Sequence, residues 1–216
     1  MKTQFSHPQH LVSAALAGLY GFLPSGMPLF GSLAQQYRSG ATLPSPAAAI
    51  SPETLMTKDA LAEIAAGNIP DLGKLCLDLH AAIDRPGSSG SALQFVPVLD
   101  AMATLKPGAI KRLLDHPKRK HVLVDNKLFK AVLIRWEPGQ FSGIHGHPKG
   151  GCVFKVLKGK LQEKRYGAGI PHRLLSTGEF FGGSMAYIDD NLAYHAVGNP
   201  YEAPAISLHV YTYGKG

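Results

Sequence analysis

The sequence predicts a mainly β second half, folded into a sandwich or closed barrel, with α-helices ahead of it. From Lys120 onward, Val122 and Val124, then Ala131, Leu133 and Arg135, alternate with their neighbours as strand residues do. The short strands that follow run to Tyr213. They are punctuated at Asp125-Asn126, Gly139, Gly159, Gly167-Ala-Gly169, Gly178 and Asp189-Asp190. Many short strands with regular turn signals imply a sheet closed on itself. Before residue 120 the period is helical: Leu72, Leu75, Leu79 and Ile83 recur at the spacing of one helix face.

In chain order, Leu11 to Tyr20 reads as a helix, and the glycines and prolines after it break any longer period. Ser39 to Pro52 reads as a Pro/Ala-rich linker. Ser51, followed by Pro52 and Glu53, is a helix N-cap candidate, with Gly67 as the stop. A second helix is expected from about Pro70 to Ile83, ended by Pro86-Gly-Ser-Ser-Gly90. Further helical turns are expected over Phe95–Leu105 and Ala109–Leu114. The expected organisation is an N-terminal extension over 1–68 and a helix-plus-barrel domain over 69–216.

A chain of 216 residues with 45% hydrophobic and 17% charged residues describes a globular protein with room for one good core. The net charge of +7 favours acidic small molecules near the surface. Lys118-Arg119-Lys120 is the one tight basic cluster, and no aromatic residue interleaves it, so nucleic acid is not expected as a partner. Cys76 and Cys152 make no disulfide framework, which points to a reducing compartment. The apolar run Leu11–Leu23 has little positive charge before it and Pro24 and Pro28 after it, which argues against a signal peptide. No run is long enough to span a bilayer. The expectation is a cytoplasmic monomer, with the N-terminal region as the place where oligomerisation would occur.

One stretch carries chemistry. Gly139, His145, His147, Cys152 and Gly159 follow the spacing G-x5-H-x-H-x4-C-x6-G. Residues two apart on a strand share a face, so His145 and His147 would present two imidazoles side by side. His195 lies in a later strand and Asn199 follows it by four residues. Ser207, His209 and Tyr211 occupy one face of the last strand, while Ile206, Leu208 and Val210 fill the other. Imidazole ligands suit iron, zinc, nickel or copper alike.

The first spacing resembles the cupin signature, with Cys152 where a cupin commonly has a ligand glutamate. The three segments Ile144–Gly159, Tyr187–Val197 and Ala205–Tyr211 together resemble the thiol dioxygenases, specifically the cysteine dioxygenase family. That resemblance implies a jelly-roll cupin barrel. It also implies iron(II) held by His145, His147 and His195, and a small thiol oxidised to its sulfinate with O2. Ser207, His209 and Tyr211 would form a hydrogen-bonded chain toward the substrate, and Cys152 would be able to form a thioether with Tyr211. L-Cysteine is the leading substrate, 3-mercaptopropionate the nearest rival, and a cupin that only binds metal the rival of another class.

The family's carboxylate-binding arginine has no direct match. Counting back from Asp125 puts His121 at its position and Arg119 two residues before. Those two would share a strand face, so Arg119 is a shifted candidate; a one-residue gap offers Lys120 instead. The alternative is that all three are surface charges.

Overall fold

The computed structural model describes residues 50–214. The expected helix at Leu11–Tyr20 and most of the expected linker lie outside the described residues. A compact unit begins at Ser51. It opens with α1 (Pro52–Leu55) and α2 (Lys58–Ala65). A single helix was expected from Ser51 to Gly67. The chain breaks at Met56, and Thr57 starts a second helix by accepting a hydrogen bond from Ala60 N–H on its side chain. Thr57 also donates from its own N–H to Leu123 O in the barrel. These helices therefore pack on the barrel rather than belonging to a separate extension ending at 68.

α3 (Gly73–Asp84), a 3-10 turn (Ala92–Phe95), α4 (Val96–Ala101) and α5 (Pro107–Asp115) follow. α3 begins after Asp71, whose carboxylate accepts from Gly73 N–H at 2.9 Å. The C-terminal end of α5 is tied down by Arg135, whose guanidinium donates to Leu114 O at 2.6 Å and to His116 O. An arginine read from the pattern as an ordinary strand residue is thus the anchor of the last helix.

Eight strands make two sheets. They are β1 (Lys120–Asp125), β2 (Phe129–Trp136), β3 (Cys152–Lys158), β4 (Lys160–Tyr166), β5 (Leu174–Phe181), β6 (Met185–Ile188), β7 (Tyr194–Gly198) and β8 (Ala205–Thr212). The larger sheet has the order β1-β2-β8-β3-β6 and the smaller β5-β4-β7, and all pairs are antiparallel. The turns expected at Asp125-Asn126, Gly139 and Gly159 are there: Asn126 Oδ1 accepts from Leu128 and Phe129 N–H, and Gly139 and Gly159 take φ of +76° and +78°. Gly178 is no break but lies inside β5, paired with Glu163.

The middle of the larger sheet is buried on both faces: β2 reads as a largely apolar run, and β8 is buried at nearly every position although Ser207, His209 and Tyr211 alternate with its apolar residues. One face carries the helices. Phe95 of the 3-10 turn packs on Phe129, ring centroids 5.7 Å apart. The other face looks into the barrel, where Trp136, Phe154, Val156, Leu161 and Val197 join the two sheets. Full burial of each such large side chain contributes about 1.5–3 kcal/mol. That packing makes the barrel wall rigid enough to hold a site.

Candidate metal centre

His145, His147 and His195 come together: their ligand atoms all lie within 4.8 Å of one another. His145 and His147 were expected on a strand. They sit instead on the loop between β2 and β3, because Gly143, Gly146, Pro148 and Gly150 interrupt any continuous ladder. The loop is fastened by two isolated bridges, Phe141 to Gly198 and His145 to His195. His145 and His195 exchange both backbone hydrogen bonds, at 3.0 and 3.1 Å.

Outer contacts set the direction of each ring. His145 Nδ1 donates to Gly143 O at 2.9 Å. His195 Nδ1 donates to the buried Glu163 carboxylate at 2.8 Å. Both rings therefore present a bare Nε2 to the centre, and His147 Nε2 lies 3.0 Å from His195 Nε2. Bare nitrogen lone pairs converging from three sides fit a cation at their centre. The protonation states agree. Burial holds the His145 imidazole below its usual range, and burial with the neighbouring histidines pushes His147 down to about 3. Neutral imidazole is the form that binds a metal.

Glu163 has no counterpart among the sequence expectations. Burial alone would raise its carboxyl, but the hydrogen bond from His195 and the nearby Arg165 guanidinium outweigh it and hold the group ionised. Asp190, read in the sequence only as part of a turn, accepts from His147 N–H at 2.5 Å. Its carboxylate fills the space a side chain at 146 would need: a Cβ there would stand 2.7 Å from Asp190 Oδ2. Gly146→Ala is therefore expected to push Asp190 away and loosen His147, lowering metal affinity about tenfold or more. A chelator-competition titration of the variant measures this.

A second group stands beside the histidines on β8. Trp136 Nε1–H donates to Ser207 Oγ at 2.8 Å, and Ser207 Oγ lies 2.8 Å from His209 Nε2. Ser207 is fully buried and its Oγ has only the indole N–H and His209 Nε2 as partners, so its own proton finds its acceptor at His209 Nε2. His209 is then the Nδ1–H tautomer, with a donor left for the cavity. Full burial next to the other histidines pushes His209 down to about 3. Tyr211 stacks on His209, ring centroids 6.3 Å apart. The expected link from His209 to the Tyr211 hydroxyl is not made. The two rings lie nearly parallel, 17° apart, which keeps the phenol oxygen out of line with the imidazole. Cys152 and Tyr211 are directly opposed on β3 and β8, and both pack with Ile188 and Ala193.

The two depressed imidazoles give a pH dependence with a fixed sign. Below the ordinary value of 6.5 the unfolded chain protonates His147 and His209, whereas the folded chain resists until about 3. Stability of the metal-free protein is thus full above pH 6.5 and falls as the pH drops toward 3. The melting temperature is expected to follow, and His209→Asn to flatten the slope.

Of the three basic candidates, two line the cavity of about 490 Å³ that opens over the histidines: Arg119 and Lys120. His121 does not. The strand starts at Lys120, so Arg119 lies before it, and the alternation that was to pair Arg119 with His121 fails. His121 pairs with Leu133 on the helix side of the sheet, is 3% exposed, and meets His116 edge-on at 4.8 Å. Arg119 is held by a residue the sequence reading passed over: Gln140 Oε1 accepts from the Arg119 guanidinium at 3.3 Å and from Glu137 N–H at 3.0 Å.

The profile of the family described as cysteine dioxygenase type I matches residues 105–214. The chain belongs to the cysteine dioxygenase type I family, within the cupin superfamily. Cysteine dioxygenase type 1 of Danio rerio is 36% identical over 100 residues, covering 42% of this chain and 49% of that protein. The Bos taurus protein of the same name is 31% identical over 116 residues, covering 48% and 56%. The Homo sapiens protein is 32% identical over 102 residues, covering 42% and 48%. The chain spans about half the length of the curated relatives it matches. The matched span holds all three histidines, Glu163, Cys152 and the β8 residues.

Proposed function

We propose that this protein is an iron(II)-dependent thiol dioxygenase that converts a small carboxylated thiol, RSH, and O2 into the sulfinate RSO2H. The observation that carries the reading is the convergence of three imidazoles, with the Cys152–Tyr211 pair and the Ser207–His209 donor chain beside them. His145, His147 and His195 would hold the ion. Iron(II), when held there, supplies the redox chemistry between thiol and dioxygen.

The chain's own residues bind and orient. Arg119, fixed by Gln140, pairs with the substrate carboxylate by charge-assisted hydrogen bonds. His209 Nδ1–H donates to negative charge in the cavity, and Ser207 and Trp136 keep it in that tautomer. Ile134, Trp136, Phe141 and Val197 form the apolar part of the wall, which limits water around the reactants. L-Cysteine, the substrate in the relatives' names, is the reading that family likeness alone suggests. 3-Mercaptopropionate is the second, favoured because no acidic side chain lines the cavity to receive an ammonium group. With free thiols at Cys76 and Cys152, a reducing compartment such as the cytoplasm suits the protein.

Oxygen uptake by iron-loaded protein against a thiol panel tests the reading. One O2 consumed per thiol, with sulfinate as product, is expected; tightly bound iron without oxygen uptake for any thiol would favour a metal-binding cupin. Turnover is also expected to join Cys152 Sγ to the Tyr211 ring. The thiol and ring hydrogens are lost and two electrons pass to dioxygen, so the peptide pair is lighter by two hydrogens in mass spectra. Cys152→Ala abolishes that species and leaves slower activity, because the metal ligands are intact.

A further inference from the structure

The wall of the cavity is built from donors. Arg119 and Lys120 line it as cations, and among the described residues neither has an acidic partner within ion-pair distance. Gln140 turns its oxygen toward Arg119 and the Glu137 N–H, which leaves its NH2 free. Ser142 Oγ accepts from Val197 N–H at 3.0 Å, so its hydroxyl proton is free to donate. His209 presents Nδ1–H, by the argument from Trp136 and Ser207. No Asp or Glu lines the space. Tyr211 adds a phenol hydroxyl to the lining, set opposite Cys152 across β3 and β8.

Such a wall discriminates by charge. A carboxylate finds several donors at once. An ammonium group finds no carboxylate to pair with, and its charge adds to that of two cations, which makes its desolvation costly. Two separate cations also exceed what one carboxylate neutralises: Arg119 is already fixed in place by Gln140, and Lys120 is left over. Lys120 sits at the start of the edge strand β1, beside Ile134, and borders both this cavity and a smaller one lined by Lys130 and Tyr213.

We infer that the preferred substrate is a thiol bearing two anionic groups and no free ammonium, with Arg119 taking one anion and Lys120 the other. This rests on the thiol dioxygenase reading for the thiol itself; the anion sites belong to the polypeptide alone. 2-Mercaptosuccinate is a suitable thiol probe. Succinate, propionate and L-alanine are matching probes without sulfur.

The test is calorimetric titration of the full chain, kept under argon, with the three sulfur-free probes, followed by oxygen uptake with 2-mercaptosuccinate, 3-mercaptopropionate and L-cysteine. Succinate is expected to bind at least about tenfold more tightly than propionate, the scale of one charged hydrogen bond, and L-alanine more weakly than either. Lys120→Met should bring succinate down to the level of propionate and leave propionate unchanged. Lys118→Met, whose lysine pairs with Asp59 outside the cavity, should change neither. L-Alanine binding as well as propionate, or Lys120→Met weakening both anions equally, overturns the inference. So does a kcat/KM for L-cysteine above that for 2-mercaptosuccinate, while leaving the dioxygenase reading intact. If no thiol drives oxygen uptake, the dioxygenase reading fails, and the sulfur-free titrations still decide the anion sites.

Discussion

Replacing any one of His145, His147 or His195 by alanine is expected to strip metal and activity together. Each ring contributes one inward-facing nitrogen to a three-ligand site. Among the described residues no fourth imidazole joins the cluster: His209 faces the cavity, but its Nε2 is engaged by Ser207. The loss should exceed the roughly 10–100-fold in affinity that removal of an outer-shell partner costs. His172, whose Nδ1 bonds with Gly167 O and whose ring lies against Tyr194, outside the cluster, is the control. Metal analysis after desalting gives the answer, with His172→Ala expected to retain its ion. A triad variant with full metal content and full turnover would remove that residue from the site.

The second large effect is expected at Glu163. Its carboxylate accepts from His195 Nδ1 and pairs with Arg165 Nε, each at 2.8 Å, and it is 2% exposed. Glu163→Gln keeps an acceptor for the ring but removes the charge, making the ligand less basic and leaving Arg165 without its partner. Metal affinity is expected to fall about 10–100-fold, and Glu163→Leu should fall further. Because the folded carboxyl is held below its usual value, the pair stabilises the protein at neutral pH and loses that contribution as the pH falls through the folded value. An unchanged dissociation constant for Glu163→Gln would mean that the carboxylate supports the fold without tuning the ligand.

The contrast between these residues explains what the sequence could carry. His145, His147 and His195 were legible because a fixed spacing between turn glycines singles them out, even though two of them lie on a loop rather than a strand. Ser207, His209 and Tyr211 were legible because polar residues alternate with Ile206, Leu208 and Val210 in a strand buried on both faces. Glu163 was not. It stands in Lys-Leu-Gln-Glu-Lys-Arg-Tyr, which reads as a solvated charged strand, and its burial arises only when β4 pairs with β7 and brings it beneath His195. His121 failed for a local reason. Its assignment assumed that the strand extends back through Arg119, and a strand starting one residue later turns His121 to the helices. The barrel and the helices before it were legible from period alone. The place where helix α2 joins that barrel was not, because it depends on the Thr57 to Leu123 hydrogen bond between distant segments.

The most direct test of the central claim is isotopic. Protein loaded with iron(II) under argon is mixed with thiol and then with ¹⁸O-labelled dioxygen, and the product is analysed by mass spectrometry. Both sulfinate oxygens are expected to carry the label. Iron bound by the three histidines with no doubly labelled sulfinate from L-cysteine, 3-mercaptopropionate or 2-mercaptosuccinate would contradict the account.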